Sequence, residues 1–271
     1  MYKIKFTLFF YLLFSFSFIV KSAYAANDSI NSLANSYANL VSHYYNEVSL
    51  STQEMHNAII KFVQAPDNNS LTNAKNKWIA ARSIYGITEA FRFYGGPIDG
   101  VNKYGEEGPE GLINAWPLNE AYIDYVKGSS NAGIINNLSL EINNDTIIAA
   151  NMSEDDADVS TGWHAIEFLL WGQDFSLETA GIREASDYLP TNEINIRRRA
   201  YLVATSALLL EHINWLSMEW LENGEGRKAF LNKNDPGGAI LTGIATLAGF
   251  ELSSERIATA LDSGDPEDEH S

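Results

Sequence analysis

DSINSLANSYANLVSHYYNEVSLSTQEMHNAIIKFV, residues 28–63, sets Ile30, Leu33, Tyr37, Val41, Tyr44, Val48, Met55, Ile59 and Phe62 on a recurring helical spacing. Steps of three or four put them on one helix face and predict one long amphipathic helix or two collinear ones, with a weak turn near Ser51. Pro66-Asp67-Asn68-Asn69 breaks the pattern. Ser70 offers a cap to a second helix whose inward positions are Leu71, Ala74, Trp78, Ala81, Tyr85, Thr88 and Phe91, ending at Gly95-Gly96-Pro97. A Gly-rich loop runs to Gly111, and Asn119 to Lys127 reads as a shorter helix. Gly128 to Ser160 is Asn-rich, with an apolar patch at Thr146 to Ala150 and an acidic run at 154–158. Thr161 caps a helix through Trp171 that Gly172 ends. Another spans Asn192 to Glu222, with Tyr201, Thr205, Leu208, Leu209, Trp215 and Leu216 inward. Pro236 opens a last pattern of Ile240, Leu241, Ile244, Leu247, Leu252, Ile257 and Leu261. No segment alternates with period two, so the fold class is all-α, built as packed up-and-down bundles.

The chain has 271 residues and a formal net charge of -17, from 35 acidic and 18 basic side chains. That balance disfavours nucleic acid and anionic membrane as partners and suits cations. The absence of cysteine removes disulfides, thiolate nucleophiles and Cys-ligated metals, so any metal must be held by His, Asp, Glu or water. Lys3 and Lys5 precede an apolar run from Phe6 to Val20, and Ala23-Tyr24-Ala25 supplies a cleavage pattern. Residues 1–25 therefore read as an export signal, which places the product in the periplasm or in association with the outer membrane. Removal of Lys3, Lys5 and Lys21 would leave 15 basic against 35 acidic groups.

Among the five histidines, His43 and His56 read as surface residues and His212 as a core histidine, while His270 sits in the terminal Glu267-Asp268-Glu269-His270. His164 stands three residues before Glu167 in GWHAIEFLLWG, residues 162–172, so imidazole and carboxylate share a helix face. Both are ligands for zinc or ferrous iron. An internal His–Glu hydrogen bond locking two helices together would use the same spacing. Neither zincin template is complete, since residue 165 is Ala and residue 168 is Phe where a second histidine would fall. The single, reversed order also fails the di-iron Glu-x-x-His motif. Further ligands must come from elsewhere, and Glu89 is a candidate. It lies in the row Trp78, Arg82, Tyr85, Glu89 and Arg92, which is either a solvent-facing ion-pair ladder or one wall of a polar interior. The loop Gly95-Gly96-Pro97-Ile98-Asp99 could aim Asp99 at the same place.

Several blocks together resemble the imelysin family of bacterial envelope proteins, and its iron-regulated branch most: residues 78–82, 88–99, Asn114-Ala115-Trp116-Pro117-Leu118, 162–174 and the terminal 267–271. The Gly-x-His-x-x-Glu element is that family's signature. The resemblance implies two helical lobes: a first over 26–175 that carries the motif, and a second over 176–271 that is incomplete here, because relatives continue past the terminal block. It implies a polar site with His164, Glu167 and Glu89 as metal ligands, lined by Arg82, Arg92, Asp99, Trp116, Glu269 and His270. Its implied cofactor is a metal ion, iron first and zinc second. The implied partners are a metal ion or iron-bearing small ligand and envelope iron-uptake components. The family's labels conflict, one being insulin-cleaving metallopeptidase and the other iron uptake. The incomplete zincin templates favour binding over peptidase chemistry, with a zinc-dependent metallopeptidase as the alternative.

Overall fold

The structure is a computed structural model describing residues 2–173, 175, 181 and 183–263, with side chains from Asp28 onward. The export-signal reading falls on side chains outside that set, as do Glu269 and His270. No helix among the described residues is long and apolar enough to cross a membrane. Helices run in the order α1 (Tyr2–Gln64), α2 (Asn68–Thr88), four short helices α3 to α6 (Glu110–Ile113, Glu120–Ile123, Gly133–Asn136, Asn144–Ala150), α7 (Gly162–Trp171), α8 (Glu193–Glu219), α9 (Glu225–Leu231), α10 (Pro236–Thr246) and α11 (Thr259–Ser263). Among the described residues there is no strand, only isolated bridges at Asn102/Gly105 and Val126/Ser129.

Helices α1, α2, α7 and α8 pack around one core, with Trp163, Leu169, Tyr201, Leu209 and Leu216 at its centre. α1 passes Ser51 without a break. Its buried face is Ala34, Ala38, Val41, Tyr45, Val48, Thr52, Met55, Ile59 and Phe62, while Ile30 and Leu33 are exposed and Tyr44 is only half-buried. The expected inward set is thus rotated at its N-terminal end, where alanines let neighbouring helices approach and larger apolar residues are displaced outward. α2 is inward at Leu71, Ala74, Trp78, Ala81, Tyr85 and Thr88, as its periodicity predicts. Its cap is Asp67 rather than Ser70. The Asp67 carboxylate accepts from the Ser70 amide at 2.7 Å and the Ser70 hydroxyl accepts from the Asp67 amide, so Ser70 is the far half of a capping box.

The expected helix from Asn119 to Lys127 shrinks to the single turn of α4, after which Asp124 is extended. That extension carries the Asp124 carboxylate, fully buried, between two arginines. Arg198 reaches it with Nε at 2.6 Å and Nη2 at 3.0 Å, and Arg183 with Nη1 at 3.1 Å. Next to it, Arg197 donates to the carbonyls of Ile134, Ile135, Asn137 and Leu140 and ties the α5 loop to α8. The C-terminal pattern also departs from expectation. Ile240 is buried, but Leu241, Ile244, Leu252, Ile257 and Leu261 are exposed, and residues Leu247–Ala258 wind as a π-helix. Gly243 brings α10 against the Arg92 carbonyl, beyond which the helix has few neighbours to cover its apolar residues.

His43 is exposed as expected, whereas His56 is half-buried with Nδ1 2.9 Å from the Ser206 hydroxyl. His212 is a core histidine, edge-on to Tyr104, and its Nδ1 has no hydrogen-bond partner. Burial, and secondly the positive charge of Lys103, push its pKa from the ordinary 6.5 down to about 4. Between those values the unfolded chain takes up a proton that the folded chain refuses. The stability is therefore fully present above the unfolded pKa and falls as pH drops toward 4, by about 3 kcal/mol for such a shift. Thermal melts from pH 7 to pH 4 should show this slope in the native chain and a shallower one in His212→Gln.

Candidate functional site

The signature segment sits at the junction of three elements. Gly162, with φ +83°, starts α7 directly against the Ile113 carbonyl at the end of α3. The Thr161 hydroxyl donates to the Leu112 carbonyl and so leaves the helix end without a side-chain cap. One residue on, Trp163 is fully buried, and its carbonyl accepts from the Trp78 indole of α2 at 3.1 Å. Gly172, with φ +70°, ends the helix with its N–H on the Phe168 carbonyl. Anchored at both ends, α7 turns His164 and Glu167 to the side opposite the core.

There they line a cleft of about 740 Å³ whose other walls include Trp78, Trp116, Trp171 and Glu120. The His164 side chain is 12% exposed, and Glu167, at 43%, is open to solvent. The Trp116 ring stands against the imidazole at 4.8 Å between centroids. Nδ1 of His164 is 3.5 Å from Glu167 Oε2, too long for a good hydrogen bond, and both ring nitrogens are buried without a hydrogen-bond partner. A locking clamp would have consumed at least one of them. Leaving a buried polar atom unpaired costs about 1–3 kcal/mol.

The charged row of α2 is a polar interior rather than a surface ladder, since Tyr85 and Glu89 are both buried. Glu89 is bound by Arg82 at 3.6 Å and by Arg256 of the π-helical segment at 3.0 Å, and it does not line the His164 cleft. No three His, Cys, Asp or Glu side chains among the described residues converge as a metal set, so the His164, Glu167 and Glu89 triad is not assembled. The Glu89 carboxylate oxygens already answer two guanidinium groups. Two donors, His164 and Glu167, do fit a metal that brings most of its own ligands.

Arg92 pairs with Glu110 at 2.9 Å. Burial pushes the Glu110 carboxyl up from its ordinary value, and Arg92 opposes that shift. Asp99 does not reach His164. Its carboxylate accepts from the amides of Phe93 and Gly96, holding the Gly95-Gly96 turn, and it borders a second cleft with Arg92 and Glu110. Trp116 lines both clefts. Of the residues singled out in the sequence, His164, Glu167 and Trp116 share the first cleft. Glu107, Glu110, Asn114, Asp156 and Glu251 of the second cleft carry no short-range signal, the first two lying in a glycine-rich loop.

No curated protein matches the chain. Among solved structures, a protein described as an iron-regulated protein A precursor from Parabacteroides distasonis shares the fold, with a TM-score of 0.60 and 18% identity. The alignment covers 89% of this chain and 66% of that one, so the chain spans just under two thirds of that relative's length. The family model for imelysin (peptidase M75) matches residues 41–271, from the middle of α1 onward. The chain belongs to the imelysin family.

Proposed function

We propose that this protein binds iron carried by a small organic ligand, with His164 and Glu167 completing the coordination, and serves iron acquisition outside the cytoplasm. The observation that carries this reading is the buried imidazole with both nitrogens unpartnered at the wall of a 740 Å³ aromatic cleft. A bare ion would need more protein donors than the described residues bring together, and it would not need so large a cleft. Trp78, Trp116 and Trp171 give flat apolar surface to the organic part of a chelate. The name of the structural relative, iron-regulated, suits the same role. Export to the periplasm or outer membrane is part of the proposal and rests on the pattern of residues 1–25. The peptidase name attached to the family would require a third donor beside His164, and the described residues supply none.

Titration of the protein with ferric citrate, ferrous ion and zinc ion tests the site. The native chain should bind ferric citrate more tightly than either bare ion. His164→Ala/Glu167→Ala should lose at least tenfold in affinity, about 1.4 kcal/mol, with an unchanged helical spectrum. Equal binding by the two proteins would remove His164 and Glu167 from the site.

A further inference from the structure

Behind Trp116 lies the second cleft, of about 620 Å³, bordered by five carboxylates, Asp99, Glu107, Glu110, Asp156 and Glu251, and by the single guanidinium of Arg92. Asp99 is held by backbone amides, Glu110 by Arg92 and Glu251 by Arg256 at 3.6 Å. Glu107 and Asp156 are exposed and have no ion-pair partner among the described residues. The acidic side chains alone would mark only a solvated surface. Asn114 adds an independent observation: it is 6% exposed, lines the cleft, and its Oδ1 has no hydrogen-bond partner. Its side chain lowers the Glu110 pKa, and the atom it leaves unsatisfied is an acceptor.

The groups left to a ligand are thus nearly all acceptors, and a buried acceptor without a donor is costly. The unpartnered Arg92 Nε is the exception, and its guanidinium is already engaged by Glu110 and the Phe93 ring. The acceptors do not converge at metal-ligand distance, and the volume is that of a small organic molecule. Trp116 supplies an aromatic wall for a cation or its methylene stem. We infer that this cleft binds a linear organic polycation, a di- or polyamine whose separate ammonium groups meet Glu107, Asp156, Glu251 and the Asn114 carbonyl. The ligand is distinct from the one proposed for His164, with Trp116 as the shared wall.

Calorimetric titration of the full chain with spermidine at low salt tests this, with putrescine, 1,4-butanediol and magnesium chloride as comparison probes. Spermidine should bind more tightly than putrescine, the diol should not bind, and affinity should fall as salt rises. Glu107→Gln/Asp156→Asn, both at exposed positions, should weaken spermidine at least tenfold with an unchanged melting temperature, and Glu251→Gln should weaken it further. His164→Ala should leave it unchanged, which separates this site from the iron site. Three results would overturn the inference: no spermidine binding at millimolar concentration, equal affinity in the native and double-variant proteins, or tighter binding of magnesium than of spermidine at the same residues.

Discussion

Asp124→Asn is expected to lower the melting temperature by roughly 10 °C. The substitution keeps the shape of the side chain and removes the buried charge that Arg183 and Arg198 share. Both arginines are almost wholly buried, at 1% and 3% side-chain exposure. Breaking such a pair from one side costs about 3–5 kcal/mol, whereas exposed pairs such as Lys77–Glu54 contribute at most about 1 kcal/mol. In a domain of this size, each 1 kcal/mol moves the midpoint by about 2–4 °C. Asp187, 28% exposed and 3.4 Å from Arg183, offers only partial replacement. A calorimetric scan of Asp124→Asn beside Lys77→Ala checks the contrast. Comparable melting temperatures for the two would show that the buried cluster adds little.

Gly162→Ala should destabilise by about 3 kcal/mol or more and should also weaken ferric citrate binding. Two costs add at this position. A side chain at φ +83° is itself strained by about 1–2 kcal/mol. The new methyl would also collide with the Ile113 carbonyl oxygen, lie 2.8 Å from the carbonyl carbon and stand 3.1 Å from the Leu112 oxygen. These are backbone atoms and cannot rotate away. The strain is relieved only by shifting the start of α7, which moves His164 two residues on. Gly172→Ala, with φ +70° but its nearest atoms at 3.3 Å, should cost less and leave binding closer to native. Denaturant melts and chelate titrations of the two variants separate collision from conformational strain.

The contrast between α2 and α1 shows what the sequence discloses. The inward face of α2 was legible because its periodicity is local and the break at Pro66-Asp67-Asn68-Asn69 marks its start, although the cap is Asp67 and not Ser70. On α1, Ile30 and Leu33 outweigh Ala34 and Ala38 on any apolar scale, yet the alanines are buried. Close approach of neighbouring helices decides that, and it is a property of the whole packing. Asp124 and Arg198 stand 74 positions apart and look like ordinary surface charges. Nothing short-range distinguishes a charge with a buried partner from one in water. His164 and Glu167 could be found because both lie within one helical turn. Glu89 was placed at the same site from its position in the charged row of α2, whereas one of its partners, Arg256, comes from a distant and unusual helical segment.

The tryptophans around the signature helix have an optical consequence. Of six in the chain, Trp78, Trp116 and Trp171 face the His164 cleft and Trp163 packs edge-on against Trp78 at 6.1 Å. Four of the six indoles therefore stand at or beside that cleft. A coloured ferric chelate seated there would drain the excited state by energy transfer and darken the protein. A colourless polyamine behind Trp116 would at most shift the emission of that one indole. The chain carries its own fluorimeter, and the two clefts can be read apart in one cuvette.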